Sequence, residues 1–184
     1  MSGLHVPREI ANSLDLEERI IWVGRPTSRL FATSWYDFLI IPFGLIFAGA
    51  ALMFQVTAVS TGHIFPFFFV IPHLFIGIYI AGGRFFVSRY FRKNMTYAVS
   101  NRRAYILSRA FSGRFIQKPL TKSVSIDYSP GQEATIRLDP GGGNHLSMQW
   151  RLFWPSHTGS FEFFRIPDGE TVMALLRQVQ REQS

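Results

Sequence analysis

The longest uninterrupted apolar stretch of the chain decides what it can fold into. Residues 38–83 contain no Lys, Arg, Asp or Glu. They read FLIIPFGLIFAGAALMFQVTAVSTGHIFPFFFVIPHLFIGIYIAGG, with one polar break at TAVSTGH (57–63). Each side of that break offers about 20 largely apolar residues, enough for a helix to cross a roughly 30 Å hydrocarbon core. A domain of this size could not bury two helices that are apolar on every side. The block therefore predicts a transmembrane helical hairpin over residues 35–83, with helices near 35–56 and 64–83.

Charge outside the block is one-sided. No acid occurs between Asp37 and Asp127, whereas residues 84–122 carry only cations, beginning with Arg84, Arg89, Arg92 and Lys93. The whole chain of 184 residues has a formal charge of +7. Such a balance suits a polyanionic partner. Because the cations follow directly on an apolar block, that partner is expected to be the anionic surface of a bilayer and not nucleic acid. Arg19, Arg25 and Arg29 precede the hairpin and the loop inside it has no cation, so the arginine distribution predicts that both termini are cytoplasmic. The first thirty or so residues lack the apolar core of a cleavable leader. Trp35, Tyr36 and the aromatics of residues 79–86 fit an interfacial belt. Cysteine is absent, which excludes disulfides, thiolate metal sites and thiol nucleophiles.

Three features inside the spans stand out. Pro42 and Pro72 should bend their helices and free a carbonyl each, while Pro66 falls in a first turn where it costs little. Gly44 with Ala48, and Gly77 with Ala81, are small-xxx-small pairs at similar depth in an antiparallel hairpin, and are expected to form the helix–helix contact. His73 is an ionisable group near mid-membrane. Haem ligation or proton transfer would suit an imidazole, but no second His, Asp or Glu lies at comparable depth. The expectation is a neutral side chain that bonds a carbonyl loosened at Pro72 or faces a partner helix.

Past the hairpin, GRFFVSRYFRKN interleaves aromatics and arginines as a membrane exit does. Beyond Asn94 the apolar period changes to two. MTYAVS, AYILSR, GRFIQKPL, KSVSIDYS, ATIRL and FEFFRI read as short strands, and SPGQ as a type II turn. Asp168 is a candidate N-cap. Val172, Leu175, Leu176 and Val179 then form the apolar stripe of a closing amphipathic helix. The fold class expected is an α+β membrane protein: the hairpin, preceded by an N-terminal cytoplasmic segment (1–34), and followed by a small antiparallel barrel or bent sandwich (84–184) closed by that helix. Between the last strands, QWRLFWPSH places Trp150, Phe153 and Trp154 around an arginine, in a loop suited to a partner, to the bilayer interface, or to covering one end of the domain.

EERIIWVGRP (17–26) before the hairpin, YAVSNRRAYILS (97–108) after it, the strand pair KPLTKSVSIDYSPGQEATIRL (118–138) and the terminal RIPDGETVMALLRQVQ (165–180) together resemble the bacterial pleckstrin-homology-like (PH-like) domain proteins that carry a two-helix membrane hairpin. The resemblance implies a PH-like β-barrel with a C-terminal helix, anchored in the bacterial cytoplasmic membrane, and implies no particular activity. The sequence departs from phosphoinositide-binding relatives in one respect. Their long basic first loop is here the tight turn SNRR, with Asn101 suited to it. Arg102 and Arg103 are therefore expected to join Arg84, Arg89, Arg92 and Lys93 in diffuse contact with lipid headgroups.

Signatures of catalysis are missing: there is no HExxH, GxSxG or P-loop, and PGGGNH lacks the following lysine. The expectation is a non-enzymatic, membrane-anchored interaction module without cofactor or metal. Its partners would be the anionic bilayer and a membrane protein or further copies of itself. The alternative is an accessory or assembly subunit of a larger membrane complex, such as a respiratory or photosynthetic one.

Overall fold

The computed structural model describes residues 6–29, 37–62, 64–110, 113–131, 133–139 and 161–183. In chain order these form helix α1 (Arg8–Ala11), strand β1 (Ile20–Gly24), and helices α2 (Asp37–Ser60) and α3 (Ile64–Ile78). A π-helical turn (Tyr79–Gly83) leads into helix α4 (Arg84–Lys93). Strands β2 (Met95–Ser100), β3 (Arg103–Ser108), β4 (Arg114–Pro119), β5 (Ile126–Ser129), β6 (Ala134–Leu138) and β7 (Phe161–Ile166) follow, then helix α5 (Gly169–Glu182). The chain divides into two compact units. One is the hairpin, built on residues 29–89, and the other joins Met1–Ser28 to the residues beyond the hairpin.

The hairpin unit consists of two helical runs that fold back at a turn near Thr61. Pro42 and Pro72 lie inside α2 and α3 without ending them. The second run continues through the π turn to Lys93, so the helix extends beyond the apolar block into the basic–aromatic segment. Both runs are long and apolar enough to cross a membrane. Only 11% of the most apolar window of α2 is buried. Phe43, Ile46, Met53 and Phe54 of α2, and Phe75 and Ile78 of α3, lie open. An apolar surface left open along the whole length of a helix pair is stable where the solvent is itself apolar. Trp35 and Tyr36, two of the expected belt aromatics, lie outside the described residues.

The second unit is α+β. Its first sheet is an antiparallel meander, β1-β2-β3-β4, and its second is β5-β6-β7, also antiparallel. Residues 1–34 were expected to stand apart; instead β1 is an edge strand of the first sheet, with Trp22 opposite Val99 and Gly24 opposite Tyr97. The apolar helical hairpin is thus an insertion between two neighbouring strands of one sheet. Strand β2 is buried along its whole length because both of its faces are covered. Met95, Tyr97 and Val99 face the second sheet and α5, while Ala98 faces Ile10 of α1 together with Tyr105 and Leu107 of β3.

The core between the sheets centres on Tyr97 and Phe163, whose rings stack with centroids 4.9 Å apart. The Tyr97 hydroxyl accepts the backbone N–H of Phe164 at 3.2 Å, joining the two sheets by a polar bond within an apolar core. Helix α5 closes this core with Val172, Met173, Leu176 and Val179. Asp168 stands at its N-cap position but makes no side-chain capping bond. The sheets do not close into the barrel that was expected. Beyond β1, Thr27 N–H donates to Arg165 O of β7, but φ of 51° at Arg165 lies outside the strand range, and β1 and β7 form no ladder. On the other side β4, largely exposed, is an edge with no further strand paired to it among the described residues.

Candidate functional site

Within the hairpin the helices meet where side chains vanish. A Cβ built on Gly44 would lie 2.6 Å from the backbone N of Ala81, and one on Gly77 would lie 2.7 Å from the backbone N of Ala48. Backbone cannot step aside as a flexible side chain can, so these two positions accept only glycine at this helix spacing. The four small residues therefore form two facing pairs, Gly44 with Ala81 and Ala48 with Gly77. His73 lies partly buried in the same unit, its ring 5.9 Å from that of Phe47. Among the described residues no three His, Asp or Glu side chains gather in a way that could hold a metal.

Two turns before Gly44 on the same face of α2 is Asp37. It accepts a hydrogen bond from Nη2 of Arg84, and the pair is almost fully buried, at 4% and 7% exposure. A guanidinium removed from water needs a countercharge, and Asp37 supplies it. Arg84, expected among the headgroup cations, has its side chain turned to Asp37 at the hairpin base. The π turn that precedes Arg84 carries one more residue per turn than an α-helix, so α4 is rotated by about 100° from the phase of α3. The other cations expected at the membrane surface divide. Lys93 is exposed, Arg89 is partly buried, and Arg92 is buried at 3% exposure, so Arg92 too is withdrawn from the surface.

The arginine turn between β2 and β3 is held from the N-terminal segment. Asn101 Oδ1 accepts the N–H of Arg19 at 3.0 Å, and its own N–H donates to Arg19 O. Ser100 Oγ accepts the N–H groups of Arg102 and Arg103 at 3.1 and 2.8 Å. Acids from that segment pair with cations at the two ends of β3. Arg103 donates to Asp15, Arg102 lies 3.8 Å from Glu17, and Arg109 grips Glu9 with two bonds at 3.1 and 2.8 Å. Arg102 and Arg103 were expected to meet lipid headgroups, and they face carboxylates of their own chain. The turn Asp15–Glu18 that presents these acids puts Glu17 at φ of 68°, a left-handed conformation uncommon for a residue with a Cβ.

Beneath this surface layer lies Glu18, at 7% exposure. It accepts hydrogen bonds from Ser100 Oγ, from the Tyr105 hydroxyl at 2.6 Å and from the N–H of Asp15 at 3.1 Å. Burial alone would raise its pKa. The donors, with Arg103 nearby, outweigh burial and hold the carboxyl below its ordinary value. Tyr105 moves upward, because burial and the hydrogen bond to Glu18 both favour its protonated form. The arrangement is a fully satisfied polar junction between the N-terminal segment and the first sheet.

Trp150, Phe153 and Trp154 lie outside the described residues. Sequence reasoning passed over Asp37, Glu18 and the acids Glu9, Asp15 and Glu17. A signal existed for the first. Asp37 and Arg84 are equidistant from the hairpin turn, so an antiparallel pair brings them to one level. For the others the only clue was that the acids missing after the hairpin are gathered before it. Comparison with known proteins finds no matching family model, no matching characterised relative and no matching solved structure.

Proposed function

We propose that the chain is a non-enzymatic interaction module anchored in a bacterial cytoplasmic membrane, in which the hairpin crosses the bilayer twice and holds a PH-like α+β unit at the cytoplasmic face. The observation that carries this reading is the insertion of the hairpin between paired strands. Gly24 and Tyr97 are partners in one sheet, so the chain leaves and re-enters the same compartment, which requires an even number of crossings. The open apolar surfaces of α2 and α3 support insertion, and the arginines flanking them support a cytoplasmic location for that compartment. Arg102, Arg103 and Arg109 pair with acids of their own chain, and exposed cations such as Lys93 add diffuse headgroup attraction of about 1 kcal/mol each near an anionic leaflet.

The accessory-subunit reading is favoured by a different observation. Gln55 lies on α2, and neither polar atom of its amide meets a hydrogen-bonding partner among the described residues, although both atoms are buried. A polar group at membrane depth gains from a partner helix, which a rotated Gln55 side chain could meet. The absence of native cysteine makes topology directly testable. In whole cells a membrane-impermeant thiol reagent is expected to label Thr61→Cys and to reach Lys93→Cys only after lysis. Equal labelling of both sites in intact cells would sink the anchored reading. Purification in mild detergent separates the two readings: stoichiometric co-migration with a large complex identifies a subunit, and a free monomer or homo-oligomer leaves the module.

A further inference from the structure

Six cations of the α+β unit have acidic partners within it: Arg102, Arg103 and Arg109 in the N-terminal segment, Lys118 in Asp139, Arg137 in Asp127 and Glu162, and Arg165 in Glu133. One cluster of cations is arranged differently. Lys122, Arg177 and Arg181 line an open concavity of about 530 Å³, together with Ala174 and Gln180, and no acid lines it. Arg177 and Arg181 are four residues apart on α5 and so share a helix face, a like-charge spacing that costs the isolated helix a few tenths of a kcal/mol. Glu182, the nearest acid on the helix, is engaged by Gln178 Nε2 at 2.7 Å.

The third cation is held in place by backbone. Lys122 sits in the turn Thr121–Val124, closed by Val124 N–H to Thr121 O at 3.1 Å and braced by a 2.9 Å bond between the Thr121 and Ser123 hydroxyls. The residue before the turn, Leu120, is fully buried. Gln180 of α5 then clamps the turn from the other side, its Nε2 donating at 2.9 Å to both Thr121 O and Val124 O. A side-chain amide spent on fixing this turn against the helix fixes the Lys122 backbone beside Arg177 and Arg181.

We infer that this concavity is a binding site for a phosphate-class dianion, a phosphomonoester or pyrophosphate group on a small molecule or a lipid. Two guanidinium groups present planar donor forks suited to paired phosphate oxygens, and the lysine adds a point charge. The walls are preorganised by the Gln180 clamp, so little ordering is left to binding. The volume admits the anionic group with part of its carrier. The site borders the arginine turn, since Leu120 N–H donates to Arg102 O and Gln183 Nε2 to Asn101 O, but no residue of that turn lines it.

The test uses the full chain, isotope-labelled in a zwitterionic detergent, with the amide resonances of Lys122 and Ser123 as the readout. Two probes are titrated: pyrophosphate, and short-chain phosphatidic acid doped into the micelle. A saturable shift with either probe is expected, and the probe that saturates identifies the source of the phosphate as soluble or lipid. Arg177→Gln with Arg181→Gln should weaken it at least about tenfold, the loss expected for charge-assisted hydrogen bonds. Lys122→Gln should weaken it less. The deciding variant is Gln180→Ala, which keeps all three charges. It is expected to weaken binding several-fold while the fold, read from the remaining resonances, is retained. Absence of a saturable shift with both probes, or full binding by the double arginine variant or by Gln180→Ala, overturns the proposal and reduces the group to solvated surface charge.

Discussion

Asp37 in the hairpin and Glu18 in the α+β unit are both buried carboxylates, and the two are stabilised differently. Asp37, at the base of the hairpin, faces a full countercharge in Arg84. Glu18, in the α+β unit, is surrounded by neutral donors: two hydroxyls and a backbone N–H. The difference follows from what each environment can supply. A helix pair built of apolar and small side chains offers few polar groups, so one long cation, Arg84 from the second helical run, is the partner at hand. A sheet edge with a turn laid across it has spare donors on both sides. The ion pair makes the hairpin dependent on two residues, whereas the Glu18 network distributes the charge over three.

That contrast can be broken at its sharpest point. Arg84→Met leaves Asp37 buried without its countercharge and should destabilise the hairpin by about 3–5 kcal/mol, measured by steric-trap unfolding in bicelles. Arg84→Met combined with Asp37→Leu should return most of that loss. If the double variant is as unstable as the single one, the pair is more than mutual neutralisation. Next in size is Gly77→Leu, which forces a side chain onto the Ala48 backbone and should cost about 2–3 kcal/mol in the same assay. An unchanged hairpin would mean the helices can separate without loss.

In the other unit, Glu18→Gln should cost about 1–3 kcal/mol, since the amide cannot accept from three donors at once. It also has a pH signature. The folded carboxyl lies below its ordinary value of 4.5, so its contribution is fully present above that pH. As pH falls from there through the lowered folded value, the contribution is lost. Stability of the parent protein should decline over that acid window, and Glu18→Gln should flatten the decline in denaturant titrations at stepped pH. The smallest effect belongs to Arg103→Gln, an exposed pair worth about 0.5 kcal/mol. A loss several times larger would show that Arg103 acts through Glu18 and not only through Asp15.

Local pattern made the hairpin, the small-residue pairs and the strands β2 to β7 legible, because each is written in apolar residues that recur at short spacing. The first strand was not legible. IIWVG is an edge strand, partly buried throughout, with no alternation to announce it. Nor could the fate of Arg102 and Arg103 be read locally, because their partners lie on the far side of the hairpin in the sequence. An acid-free stretch looks like surface charge until the fold brings Glu9, Asp15 and Glu17 to it. Closure of the barrel was not legible for a similar reason, since it rests on pairing between chain-distant edges, and the two sheets remain separate.

The insertion of the hairpin between β1 and β2 also sets an order of events during synthesis. Strand β1 emerges early but has no partner until the hairpin and then β2 have been made. Strands β2, β3 and β4 are joined by short turns and can pair as soon as they appear, leaving the outer edge of β2 open. An open edge is a template for the wrong strand, so β1 acts as a tether waiting to be recaptured. Folding of the hairpin shortens the wait, since helices packed back to back bring the two ends of the long insertion together and lower the entropic cost of closing the loop.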